Sequence, residues 1–385
     1  MNQEPQKTVV NSWNEWDPLK RIILGRCDGT MFQAAEPAIQ RDWPDQGYPM
    51  SPTGKMLPQD MIDKGNEQMD NFAKMLEKRG IIVDRPTPLD FSQGVQTPDW
   101  KIGSMFGCMP ARDLLITIGN EFLEATMSYR ARWFEYLCYR PLVEQYFKDD
   151  SNMRWEAAPK PRLTDRTYNL NFWPEWKTLS DEEKLERARR REWAITEVEP
   201  LFDAADIARF GKDLIVQLSE VTNVAGFNWL KNHFPNLRLH AMMFDEPEPV
   251  HIDTTWVPLR PGLVLHCPGR PVTYPEQIKE FEKNDWEVVE AARPQLEEKH
   301  YLTYCSIWLS MNLLVIDPKT VCVESSETAQ MEQLDKLGFE VVPVPFWDAA
   351  PFGGGLHCAT VDIYREGTCE DYFPKGLDLT SHLKI

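Results

Sequence analysis

Short apolar runs rich in β-branched residues recur along the whole chain, most of them bounded by Pro, Gly, Asp or Asn. They predict strands at 21–25, 81–84, 113–117, 213–217, 237–241, 263–266, 286–289, 313–316, 321–324, 340–344 and 360–364. Helical spacing appears between them. Residues 61–79 place Met69, Phe72, Met75 and Leu76 on one face, and residues 129–147 carry Trp133, Phe134, Leu137, Val143 and Phe147. Residues 223–233, 274–283 and 329–337 also read as helices. Strands alternating with helices indicate an α/β protein, and the pattern by itself suggests a layered α/β sandwich. Residues 181–192 (DEEKLERARRRE) form a charged helical stretch within an insertion of about 173–192. Glu183 and Arg187, and Glu186 and Arg190, stand at i,i+4 spacing, as on a solvated surface helix. Residues 28–60 show no clear period and read as a long loop, a candidate lid over a site.

Composition narrows the function classes. A chain of 385 residues allows one large domain or two ordinary ones. Its 42 Lys+Arg against 60 Asp+Glu leave a net charge of −18. That balance argues against a nucleic-acid partner, which needs a basic face. No run approaches the roughly 20 apolar residues of a membrane span. The polar segment 1–8 lacks the apolar core of a signal peptide, so a cytoplasmic protein is expected. The eight cysteines form no CxxC pair, which fits neither a disulfide framework nor a zinc site.

Five segments carry side chains suited to chemistry. Residues 352–360 read FGGGLHCAT. The three glycines let the backbone approach a ligand closely, and Cys358, just before a strand, is placed to present its sulfur. A nucleophilic thiolate needs a nearby positive charge or base; otherwise Cys358 is a buried structural cysteine. Adjacent residues on an extended segment face opposite ways, so His357 is not expected to be that base. In residues 249–253 (PVHID), extended backbone would put His251 and Asp253 on one face, as a histidine and its orienting carboxylate or as a surface pair. A metal there lacks a third local ligand. Residues 199–206 (EPLFDAAD) offer Asp203 and Asp206 in an apolar run, either to hold a cation or orient a histidine, or as a helix cap. Asp113 ends MPARD ahead of a predicted strand, and Arg270 in PGRP is a candidate carboxylate partner at a strand end. One thiol, one histidine, several acids and one arginine suit a cationic substrate that carries a carboxylate at its other end.

The ordered set NEWDP (14–18), PARD (110–113), GNE (119–121), APKP (158–161), FDAAD (202–206), HID (251–253) and GGGLHC (353–358) resembles the arginine amidinotransferases. The resemblance covers roughly residues 10–373 of a single domain, 1–385. It implies a pentein α/β-propeller, with five ββαβ-type units about a pseudo-fivefold axis. It also implies roles. Cys358 matches the nucleophile that becomes the amidino-cysteine, His251 the general acid and base, and Asp203 its paired carboxylate. Asp113 and Asp253 match the acids that hold the guanidinium. Arg270 matches the residue that binds the donor carboxylate, with Ser306 at the same end. Cys305 stands where the glycine enzymes usually have serine. Glu248, Pro249 and Val250 fall on the acceptor side, where Glu248 adds a negative charge suited to an acceptor with a second cation, such as lysine; it could equally be a solvent-facing glutamate in an acidic loop. Glycine, or a specialised natural-product amine, is the other acceptor reading. An arginine deiminase-like hydrolase uses the same fold, with water in place of the amine. The resemblance implies no metal, no organic cofactor and a homodimer.

Overall fold

The computed structural model describes residues 8–32, 34–39, 54–295 and 305–385. Five three-stranded sheets carry the architecture. In each, an antiparallel hairpin is followed by a helix and then a strand parallel to the hairpin's central strand. The second blade joins Leu115–Ile118, Glu121–Glu124 and Arg154–Ala157, with α2 (Arg140–Asp149) as crossover. The third joins Ile207–Phe210, Asp213–Gln217 and Arg238–Met242 through α5 (Val224–His233). The fourth joins Trp256–Arg260, Leu263–His266 and Glu287–Glu290 through α6 (Glu276–Lys283). The fifth joins Leu314–Asp317, Thr320–Glu324 and Glu340–Val344 through α7 (Thr328–Lys336).

The first blade closes the ring. Its hairpin pairs Leu19–Leu24 with the C-terminal strand Thr360–Arg365, and α1 (Gln59–Lys78) leads to Ile82–Asp84. This is the pentein arrangement of five ββαβ units, not the layered sandwich that periodicity suggested. The helices bury one stripe each. On α1, Met69, Phe72 and Leu76 are buried as the apolar spacing predicts, Met75 is partly buried, and Ile62 joins the buried stripe. Gly119, Gly211 and Gly262 sit at positive φ within the hairpin turns of three blades, where a side chain would be strained.

Several expectations change. The periodicity of 129–147 is not one helix: α2 begins only at Arg140, with Pro141 in its first turn, and two short 3₁₀ turns precede it. Four blade strands went unread: the hairpin strands Glu121–Glu124, Ile207–Phe210 and Trp256–Arg260, and the parallel strand Arg154–Ala157. The insertion forms α3 (Phe172–Trp176) and α4 (Asp181–Arg189). Ser180 and Glu183 close a capping box at the start of α4. The anticipated i,i+4 pairs give way to other partners: Arg187 reaches Glu175 and Arg190 reaches Glu192. Within 28–60, Met31–Phe32 pairs with Lys55–Met56; the stretch 40–53 of the candidate lid lies outside the described residues.

Candidate active site

Each blade's leading strand is preceded by a short turn, and the chemistry sits in those turns. Asp113 ends the 3₁₀ turn Ala111–Asp113 before the strand at Leu115, rather than starting that strand. Asp203 precedes the turn Ala204–Asp206 and the strand at Ile207. His251 and Asp253 flank Ile252 at the turn Ile252–Thr254, before Trp256. Asn312 follows the turn Ile307–Met311, before Leu314. Cys358 lies two residues before Thr360. The ring thus brings together five equivalent positions that are far apart in sequence.

The backbone at two of them is unusual. His251 adopts φ 60° and ψ 125° and leads into a 3₁₀ turn, so His251 and Asp253 are not placed by extended alternation. Gly354 takes φ 143°, and a Cβ there would lie 2.6 Å from the Cys358 Sγ. Only glycine lets the turn fold this tightly behind the sulfur.

Cys358 is 4% exposed. Asn312 Nδ2 donates to its Sγ at 3.2 Å, and Asn312 Oδ1 accepts from the backbone N–H groups of His357 and Cys358 at 2.8 and 2.9 Å. The thiol faces Asp253 Oδ2 at 3.5 Å. Burial, then the Asp253 and Asp113 carboxylates and Cys305, push the thiol well above its ordinary value.

His251 stands between two acids. Its Nε2 lies 3.2 Å from Asp203 Oδ2 and its Nδ1 lies 3.5 Å from Asp113 Oδ1. Burial works against the charged ring, but Asp113 and Asp203 overcome it and raise the imidazole to about 10. At neutral pH His251 is an imidazolium. Asp203 is itself pushed upward by burial. Behind it, Asp206 accepts from Ser219 and Thr222 at 2.6 Å each, and burial lifts it to about 7.

Asp113 is fixed from behind. Arg132 Nη1 donates to Asp113 Oδ2 at 2.6 Å, and Arg132 Nε donates to Glu135 at 2.9 Å. Burial raises Glu135 to about 8, against the pull of Arg132. Asp113 Oδ1, Asp203 Oδ1 and Asp253 Oδ1 are all buried and have no hydrogen-bond partner among the described residues. Buried acceptors are normally satisfied, so these oxygens, with Asp253 beside the thiol and Asp113 within 4.8 Å of it, call for a ligand rich in N–H donors. Asp113, His251 and Cys358 also offer donor atoms within 4.8 Å of one another, a spacing a metal could use. A ring that faces carboxylates at both nitrogens keeps both protons and has no lone pair to give an ion.

At the other end, Arg270 is 9% exposed. It donates to Ser306 Oγ at 2.7 Å and to Thr254 and Thr255, and its Nε pairs with Glu246 at 2.5 Å. Cys305 neighbours Ser306 and is part-exposed, and it acts on the Cys358 thiol electrostatically. Val250 is half-buried against the core. Glu248 is not a bare surface charge: it accepts the Trp176 indole N–H at 2.8 Å. Asp245 in the same loop is held by Arg189 of α4 at 2.6 and 3.0 Å. The charged helix is therefore a brace on the loop before His251, not a free solvated face.

Sequence reasoning gave no role to Asn312, Arg132 or Glu135, and it discounted His357. His357 is not on an extended segment but in a turn, and its Nδ1 lies 2.7 Å from Asp253, the acid that faces Cys358. Glu15, which lay within the NEWDP segment, stands 3.6 Å from the other nitrogen of that ring.

No family model matches the chain. Full-length relatives do. The chain is 38% identical over 372 residues to the mitochondrial glycine amidinotransferase of Gallus gallus, covering 96% of this chain and 86% of that protein. It is 36% identical over 370 residues to the L-arginine:L-lysine amidinotransferase of Pseudomonas savastanoi pv. phaseolicola, covering 95% and 97%. Among solved structures, SxtG, an amidinotransferase of the saxitoxin biosynthetic pathway of Microseira wollei, superposes with a TM-score of 0.83 at 36% identity over 94% of this chain and 99% of that one. With a shared fold and identity above a third along nearly the whole sequence, the chain belongs to the amidinotransferase family and is an enzyme that transfers amidino groups.

Proposed function

We propose that the enzyme takes the amidino group from L-arginine, holds it on Cys358 and passes it to an acceptor amine in a ping-pong cycle that releases ornithine. The observation that carries this reading is a buried thiol with two carboxylates beside it, Asp253 at 3.5 Å and Asp113 within 4.8 Å, each keeping a buried oxygen that accepts no hydrogen bond among the described residues. A guanidinium presents five N–H donors in a plane and matches such a set. Arg270 and Ser306 supply a cation and a hydroxyl at the far end for the donor's carboxylate. The protein lacks any need for an organic cofactor in this chemistry, because the leaving amine and the nucleophile are both supplied by side chain and substrate.

The steps follow from the geometry. The delocalised guanidinium carbon is a poor electrophile, and holding it against the sulfur removes much of the entropic barrier. The bound cation also stabilises the thiolate that burial disfavours in the empty site. Sulfur attacks the carbon; His251, already an imidazolium, gives its proton to the departing ornithine nitrogen. The acceptor amine then enters, gives a proton to the neutral His251 and attacks the amidino-cysteine.

Acceptor choice turns on the 245–250 loop. Glu248 is held by Trp176 on the insertion rather than left in solvent, which supports its use as a fixed negative charge toward an acceptor with a second cation, such as lysine. Glycine is the second reading, supported by the relatives that are glycine amidinotransferases. The deciding experiment incubates the enzyme with arginine, lysine and glycine and identifies products by mass spectrometry. Ornithine with homoarginine supports lysine and ornithine with guanidinoacetate supports glycine; citrulline in place of ornithine overturns transfer in favour of hydrolysis. If lysine is the acceptor through Glu248, Glu248→Gln shifts the preference toward glycine.

A further inference from the structure

His251 cannot both hold a proton for the leaving nitrogen and take one from the thiol. Its two nitrogens face Asp203 and Asp113, so the ring enters the reaction protonated. The Cys358 proton needs another destination. Among the described residues, the acid within reach of Sγ is Asp253, at 3.5 Å. The same Asp253 oxygen lies 2.7 Å from His357 Nδ1. On its far side His357 faces Glu15 at 3.6 Å. Glu15 is held by Arg209, which donates to it at 2.6 and 2.7 Å and also binds Asp362. A cavity of about 20 Å³, lined by Glu15, Asp253 and His357 among apolar side chains, adjoins this array. It is large enough for one water.

We propose that His357 is a positioning residue for the thiol: it holds Asp253 through Nδ1 so that one carboxylate oxygen receives the Cys358 proton as the sulfur attacks. This rests on the amidino-transfer reading above. The S–H bond breaks, an O–H bond forms on Asp253, and the electron pair stays on sulfur to make the S–C bond. The C–N electron pair goes to the ornithine nitrogen, which takes the His251 proton. In the second half the S–C pair returns to sulfur, Asp253 returns its proton, and His251 takes the acceptor's. Two histidines, each beside its own carboxylate, thus serve two different protons.

The surroundings keep Asp253 in the ionised form that an acceptor needs. The charged groups facing His357 are Asp253 and Glu15, with Arg209 and Asp362 behind Glu15. Those acting on Cys358 are Asp253, Asp113 and Cys305. The hydrogen bond from His357 helps keep Asp253 below its ordinary range, against the effect of burial. Without it, the negative field of Asp253 on the sulfur is less compensated and its reactive oxygen is no longer fixed.

The test is the pH dependence of Cys358 alkylation by iodoacetamide, followed on the Cys358 peptide by mass spectrometry, together with kcat. His357→Phe should move the alkylation midpoint up by about one pH unit and lower kcat at least ~10-fold. His357→Asn places an amide N–H near the Nδ1 position and should recover most of both; His357→Gln reaches instead toward the Nε2 position and should not. The Asn and Gln comparison keeps the test sound even if the Phe variant does not fold. Equal alkylation profiles and kcat values in the Asn and Gln variants, or a Phe variant within twofold of the parent, would overturn the proposal. Alkylation needs no arginine, so it fails or succeeds independently of the reaction assigned above.

Discussion

Arg132 shows how much of this site depends on residues that touch no substrate. It pairs with one oxygen of Asp113 and leaves the other facing His251 Nδ1 at 3.5 Å, while Glu135, raised to about 8, stays protonated at neutral pH beside it. Arg132→Met leaves Asp113 buried without its cation. We expect a loss of roughly 3–5 kcal/mol in a denaturant titration, with a raised KM for arginine. His251 gives a pH prediction with a definite sign. Its folded value, about 10, lies above the ordinary 6.5, so the charged ring persists as pH rises and is lost only through about 10. Asp203→Asn removes one of its two acids, so the alkaline limb of arginine-dependent ornithine release should move to lower pH. An unmoved limb would mean that another group sets it. Cys358, His251, Asp203, Asp113 and Asp253 were legible because each lies in a short recognisable segment. Arg132 and Asn312 were not, because they reach the site across 19 and 46 residues that only the fold brings together.

At the scale of elements, the sequence pattern reads best where one face is buried. The stripe on α1 was plain, and so were the strongly apolar central strands of the blades. Three of the four unread strands had a local reason. Glu121–Glu124 begins and ends in acids, Trp256–Arg260 contains a proline, and Arg154–Ala157 is charged and partly exposed at a blade edge. The 129–147 stretch has helical spacing, but Pro141 can open a helix and not sit inside one. The insertion is legible as a charged helix; its function as a brace is not, because Asp245 lies 56 residues from Arg189. That brace makes a separable prediction. Arg189→Ala frees the loop before His251, so the KM for the acceptor should rise while single-turnover ornithine release from arginine stays near the parent rate. A slowed release instead would place the loop in the donor step.

The molecule as a whole is a ring closed by its C-terminal strand, and Cys358 sits at the closure. Asp362 on that strand accepts from Arg209 and Arg365 and pairs with Arg112, tying the first, second and third blades together. Burial opposes its charge, but the three guanidiniums hold the carboxyl well below its ordinary range. A depressed acid contributes stability that is present above the ordinary carboxylate range and lost as pH falls through its folded value. Asp362→Asn should cost several kcal/mol, on the order of the 3–5 seen for broken buried pairs, measured as a lowered denaturant midpoint at pH 7. The fivefold repeat was hidden from residue-level comparison because the blades share geometry and turn position rather than side chains. The resemblance of ordered motifs supplied the ring that periodicity alone would have missed.

The most direct test of the central claim is the intact and peptide mass of the protein after brief incubation with arginine and no acceptor. The account predicts one amidino group on Cys358, released on adding lysine or glycine, and absent from Cys358→Ala. Citrulline formation with no adduct, or an adduct on any other residue, would contradict it.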